Sequence, residues 1–149
     1  MVSPLILANN ILQRAFCDPI YSVTPMKLQK LLYFVYKEYY QRYRQRLFSE
    51  EFLAWKYGPV LQSVYYEFKH FGASPITKFG KDANGDVLVV DEYKSPQIKE
   101  ALDIVWTKYK CFSGINLSTL THQQDTAWDK AIKAHRLTLD DEDIYAERL

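Results

Sequence analysis

The stretch Thr24-Pro25-Met26-Lys27-Leu28-Gln29-Lys30-Leu31-Leu32-Tyr33-Phe34-Val35-Tyr36 decides how the chain is read. A threonine hydroxyl before a proline is a helix start, because the hydroxyl caps a free amide while proline's missing N–H costs nothing in the first turn. From Pro25 a helix runs to about Gln45, with Leu28, Leu31, Leu32, Val35 and Tyr39 as its core stripe. Working outward, Ser3-Pro4 and Ser95-Pro96 repeat the start signal. The first opens a helix carrying Leu5, Ala8, Ile11, Leu12, Ala15 and Phe16 that stops at Asp18-Pro19. The second opens one with Ile98, Ala101, Leu102, Val105, Trp106 and Tyr109 facing inward. Gly58-Pro59 reads as the start of a helix through Val60, Val64, Phe68 and Phe71, closed by Gly72. Between Pro75–Phe79 and Val87–Val90 the period changes to 2 around Asp82 to Asp86, whose Asn-Gly pair predicts an antiparallel hairpin. Asp125 reads as the N-cap of a helix reaching about Ala134, and the acidic run from Asp140 starts a short final helix. The expectation is a mainly α fold: one compact helical domain over 1–149, of about five to six helices with a small antiparallel β-hairpin insertion.

Composition agrees. The 149 residues are 48% apolar and 25% charged, with a net charge of +1, which is ordinary globular chemistry without a field that gathers nucleic acid or anionic lipid. Twelve Tyr, eight Phe and three Trp against five Gly suit a domain with a core and a half-wet, adhesive surface. Cys17 and Cys111 lack ligand or disulfide spacing and read as small core residues. Pro4 and Asn9-Asn10 interrupt any leader-like apolar run, and no segment approaches the ~20 apolar residues of a membrane span. A cytoplasmic protein is expected.

Catalytic signals are sparse. His70 suits a helix C-terminus, and His135 has no acidic partner nearby in sequence. Only His122 with Asp125 makes a tempting pair, and no nucleophile context, second ligand pair or phosphate-binding glycine loop accompanies it. No enzyme, metal or cofactor is expected. Lys27 to Arg46 holds six basic residues and one acidic one; Lys30, Phe34, Lys37, Gln41 and Arg44 share a helix face opposite the leucines. Without a second basic element, that face reads as solvated and nucleic acid is not the expected partner. Protein binding explains more: Tyr33, Tyr36, Tyr40 and Tyr43 form an aromatic stripe, and Trp55-Lys56-Tyr57-Gly58-Pro59 is a second adhesive candidate or a loop anchor.

The segment Thr24–Tyr33 resembles the opening signature of the Panacea-domain antitoxin family of SocA/GepA type. Phe52-Leu53-Ala54-Trp55-Lys56-Tyr57-Gly58-Pro59-Val60 with Val64-Tyr65 is similar to its second signature. Leu117-Ser118 with Thr121-His122, Asp125 and Ala127-Trp128 is similar to its third. The resemblance implies a helical, non-catalytic antitoxin, phage-associated or beside a toxin gene, that neutralises a cognate protein toxin by direct contact. The alternative is a phage or host accessory protein of the same fold without a toxin of its own, acting as an anti-defence factor or as an adaptor for an ATP-dependent protease.

On this reading Leu28, Leu31 and Leu32 are structural, and Lys27, Gln29 and Lys30 are functional candidates. The expected partner-binding residues are Lys27, Lys30, Phe34, Lys37, Tyr40, Arg44, Trp55 and Tyr57. Charge reversal at Lys30 and Lys37 is then expected to weaken toxin binding without lowering the melting temperature. Lys56, Gly58, Pro59, His122, Asp125 and Trp128 form either a structural lock or a shared pocket. The acidic segment 138–149 is a further candidate contact for a basic toxin.

Overall fold

The computed structural model describes residues 1–148. Seven α-helices and one β-ribbon follow in order: α1 (Pro4–Cys17), α2 (Pro25–Tyr43), β1 (Leu53–Trp55), β2 (Gly58–Val60), α3 (Gln62–Phe68), a 3-10 turn (Lys69–Phe71), α4 (Pro96–Tyr109), α5 (Gly114–Thr121), α6 (Ala127–Lys133) and α7 (Asp141–Ala146). The mainly α class with a small β insertion is as expected. The extra helix is α5, started by Ser113, whose hydroxyl accepts the Asn116 N–H at 3.1 Å.

Helix α2 is the axis of the molecule. α4, α5, α1, α7, α3 and β2 all lie against it. Its residues from Lys27 to Lys37 are buried without a break, and its aromatic rings interlock with their neighbours: Phe34 stacks on Tyr109 at 4.5 Å, and Tyr33 and Tyr36 meet Phe52 edge-on. Over Lys27–Lys37 the helix has no solvated face, so Lys30, Phe34 and Lys37 of the basic face expected opposite the leucines are interior, and only its end at Gln41 and Arg44 reaches the surface. The helix ends at Arg44, which takes a left-handed conformation at φ 52°.

The hairpin lies elsewhere than expected. Asp82–Asp86 does form a turn, with the Asp82 side chain accepting the Asn84 and Asp86 amides and Gly85 at φ 81°. No ladder extends from it. The backbone of Gly80, Leu88 and Val90 bonds instead to two buried amides of α1. Asn9 exchanges bonds with Gly80 and donates to the Leu88 carbonyl, and Asn10 exchanges bonds with Val90. Side-chain amides replace the partner strand, satisfying the extended segment without a sheet. The real ribbon pairs Leu53 with Val60, Ala54 with Pro59 and Trp55 with Gly58. Gly58-Pro59 therefore starts a strand rather than a helix, and α3 begins at Gln62. Cys17 and Cys111, expected in the core, are exposed, each next to a helix end.

The acidic C-terminal segment is bonded inward. Asp141 accepts from the Tyr36 hydroxyl at 2.8 Å and pairs with Arg46; Glu142 pairs with Arg44 and Asp143 with Arg136. Glu147 is the most deeply held. Its carboxylate accepts from Tyr33 Oη at 2.7 Å, Lys37 Nζ at 3.0 Å and the Ala127 N–H at 2.9 Å, tying the C-terminus to α2 and α6. No helix among the described residues is long and apolar enough to cross a membrane.

Candidate functional site

The turn of the β1–β2 ribbon, Lys56-Tyr57, is where the three signature segments meet. Its backbone carbonyls are taken one after another by side chains from elsewhere. Trp128 Nε1 donates to the Trp55 carbonyl at 2.6 Å, His122 Nε2 lies 2.8 Å from the Lys56 carbonyl, and Ser118 Oγ donates to the Tyr57 carbonyl at 2.6 Å. From α2, Lys30 Nζ donates to the Pro59 carbonyl at 3.0 Å. Gln29 pairs both ways with Leu61, donating to its carbonyl at 3.0 Å and accepting its N–H at 2.8 Å. Five carbonyls within seven residues are thus fixed by five side chains, each supplied by the first or third signature.

Local sequence explains each arm. Gln29 and Lys30 lie side by side on α2 facing the outer edge of β2, where Pro59 has no N–H to offer and its carbonyl needs a donor. Ser118 and His122 stand one turn apart on α5 and its C-cap, so they reach adjacent carbonyls. His122 also packs against Trp128, the ring centroids 3.8 Å apart and the planes tilted by 44°, and its Nδ1 lies 2.6 Å from the Ser118 carbonyl. Both ring nitrogens face carbonyls, so a neutral imidazole serves one and an imidazolium serves both. Gly58 makes the clasp possible. At φ 115° it occupies a conformation closed to other residues, and a Cβ there would stand 2.7 Å from Thr121 Oγ1 and 2.9 Å from Lys30 Cε.

Lys30 is the costly component. Only 1% exposed, with a single carbonyl as partner, it has its ammonium pushed by burial down to about 7 from 10.5. Burial also lowers Lys27, which donates to the Lys110 carbonyl at 2.5 Å, and Lys37, although Glu147 opposes the shift there. In the opposite sense, burial raises the Tyr33 hydroxyl, reinforced by Glu147.

The expected partner-binding residues therefore divide. Lys27, Lys30, Phe34, Lys37 and Tyr40 are buried, so charge reversal at Lys30 and Lys37 would break the core rather than leave the melting temperature untouched. Arg44 is at the surface but bonded to Glu142, its guanidinium 3.9 Å above Tyr145. Trp55 is half-buried, edge-on to Tyr65 at 4.8 Å, and Tyr57 is 58% exposed. Of the proposed lock, Gly58, Pro59, His122 and Trp128 are brought together as described. Lys56 joins through its carbonyl alone, its side chain being exposed beside the Tyr57 ring. Asp125 does not join. It is exposed at φ 67°, the N-cap role belongs to Thr126, and no bond links it to His122. Ser118 is the arm that site reasoning missed, although its one-turn spacing from His122 was visible.

Around the clamped turn the surface is apolar. A cleft of about 570 Å³ opens between the N-terminus of α2, the ribbon and α3, lined by Met26, Gln29, Trp55, Tyr57, Val64 and Tyr65, with Lys56 and Lys69 also at its walls. Across the Met26–Tyr57 ridge a second, shallower cleft of about 550 Å³ reaches Ile115, which is 71% exposed. Among the described residues no cluster of His, Cys, Asp or Glu has the form of a metal site.

Residues 28–129 match the family model described as Antitoxin SocA-like, Panacea domain. The chain is similar to Antitoxin SocA of Caulobacter vibrioides (strain NA1000 / CB15N), with 29% identity over 126 residues, or 83% of this chain. It spans 66% of that protein's length. No solved structure matches.

Proposed function

Because the chain belongs to the SocA-like Panacea antitoxin family, we propose that it is an antitoxin that neutralises a protein toxin by direct contact, through the surface around Tyr57. The observation that carries this reading is the clasp on the Lys56-Tyr57 turn. A loop whose carbonyls are held by side chains from α2, α5 and α6 has already lost its conformational freedom, so it binds a partner without a further ordering cost. What it holds out is an exposed tyrosine between two apolar clefts, and aromatic anchors of this kind dominate interface energies. Protein–protein contact of standard size, about 1,600 Å² in total, fits such a surface. The protein acts by occupancy rather than turnover, and needs no cofactor.

The test is co-expression with the adjacent open reading frame, scoring growth and then co-purification. Growth rescue with a stable complex is expected, and Tyr57→Ala is expected to weaken both while leaving the melting temperature within a few degrees. Rescue without any complex would replace contact neutralisation by delivery to a protease. A harmless neighbour would remove the toxin from the account.

A further inference from the structure

The ribbon beside the larger cleft has no free edge. On the β1 side, the Ala54 N–H donates to the Leu137 carbonyl, and the Leu139 N–H donates to the Phe52 carbonyl, so segment 137–139 covers it. On the β2 side, Lys30 and Gln29 take the Pro59 carbonyl and both backbone groups of Leu61. A segment entering the cleft therefore finds no free strand edge to extend, and is best served by satisfying its own N–H and C=O groups internally. A helix does so, and an added strand does not.

Charge defines the second property. No Asp or Glu lines the cleft. Lys56 lies by Tyr57, and Lys69 lies 5.0 Å from the Tyr66 ring. Neither forms an ion pair among the described residues. Nearby carboxylates are committed elsewhere: Glu67 accepts the Lys81 N–H, and Glu50 accepts from Ser63. An apolar trough between two free ammonium groups is the complement of an apolar stripe with carboxylates at its borders.

Resting on the reading that this protein binds a partner protein, we infer that the cleft receives the apolar face of an amphipathic helix of the partner, whose flanking Asp or Glu residues meet Lys56 and Lys69. Met26, Trp55, Val64 and Tyr65 supply the apolar walls, and Tyr57 closes one side.

The probe is a pair of synthetic 14-residue helix-forming peptides with leucines at i, i+3, i+4 and i+7, one with glutamates and one with lysines bordering the stripe. Each is titrated into the full-length isotope-labelled protein. The acidic peptide is expected to shift the Trp55 indole and the Tyr57 and Tyr65 resonances, to bind at least tenfold more tightly than the basic one, and to lose that margin at high salt. The double variant Lys56→Glu/Lys69→Glu, whose side chains are exposed and unpaired, is expected to keep the wild-type melting temperature and reverse the preference. Equal affinities, shifts on another face, or no shifts with either peptide would overturn the inference. The same double variant in the co-expression assay separates the two readings. Rescue and complex formation unaffected by the variant would sink the helix cleft and leave the antitoxin reading standing. Peptide binding as inferred, without growth rescue by the wild type, would do the reverse.

Discussion

Replacing Lys30 by methionine should make the protein more stable at neutral pH and less stable in alkali. In the native state burial holds the Lys30 ammonium at about 7, whereas the unfolded chain titrates near 10.5. Below the folded value both states are protonated, and the penalty for carrying a buried charge is fully present. Between the two values the unfolded state binds more protons, so stability rises with pH, by about 1.4 kcal/mol per unit. Above 10.5 the penalty is gone. The linkage gives a cost of about 4 kcal/mol at pH 7, about 2 at pH 9 and about 1 at pH 10. Methionine keeps the straight aliphatic stem that packs against Gly58, but leaves the Pro59 carbonyl without its donor. That loss is worth about 2 kcal/mol. The variant should therefore be more stable than wild type by about 2 kcal/mol at pH 7, equal to it near pH 9, and less stable beyond. Urea denaturation of both proteins from pH 6 to 10 measures the difference. Lys27 and Lys37 titrate in both and cancel. Parallel stability curves, with no pH-dependent difference, would refute the argument that Lys30 is held by desolvation against a lone carbonyl.

Two further substitutions probe the clasp and the C-terminal lock. Gly58→Ala forces a left-handed φ on an L-residue and drives its Cβ against Thr121 and Lys30, so about 3 kcal/mol of stability should be lost, read from the denaturation midpoint. Glu147→Ala leaves Lys37 buried without its counter-ion and should cost about 3 kcal/mol, whereas Glu142→Ala, which removes only the exposed pair with Arg44, should change stability by less than about 1 kcal/mol. Equal effects at the two glutamates would mean that the C-terminus is not locked as described.

Much of the fold was legible because its signals are local. Thr24-Pro25 and Ser95-Pro96 do start α2 and α4, and Asp140 does cap α7, although Ser74-Pro75 carries a like pair of letters and starts no helix. The three signature segments were also visible, and they do converge. The Asp82–Asp86 turn was legible, but its strands were not, since the decision lay with Asn9 and Asn10, about seventy to eighty residues earlier. Similarly, Gly58-Pro59 carries the same letters whether it opens a helix or a strand. Only the fit of Gly58 under Thr121 and the donor of Lys30 fixed the latter.

The basic face of α2 is the clearest case of what the chain order could not decide. A helical wheel ranks faces relative to one another, but does not say how many are covered. Here α4, α5, α7 and the ribbon enclose the helix, and each lysine finds its acceptor far along the chain: Lys27 at Lys110, Lys37 at Glu147 and Lys30 at Pro59. The sequence by itself determined where α1, α2, α4 and α7 begin and which segments belong together, because capping and periodicity act within a few residues. Tertiary structure alone decided which charges are buried and which aromatic ring is left outside, because desolvation depends on every element that closes over a group.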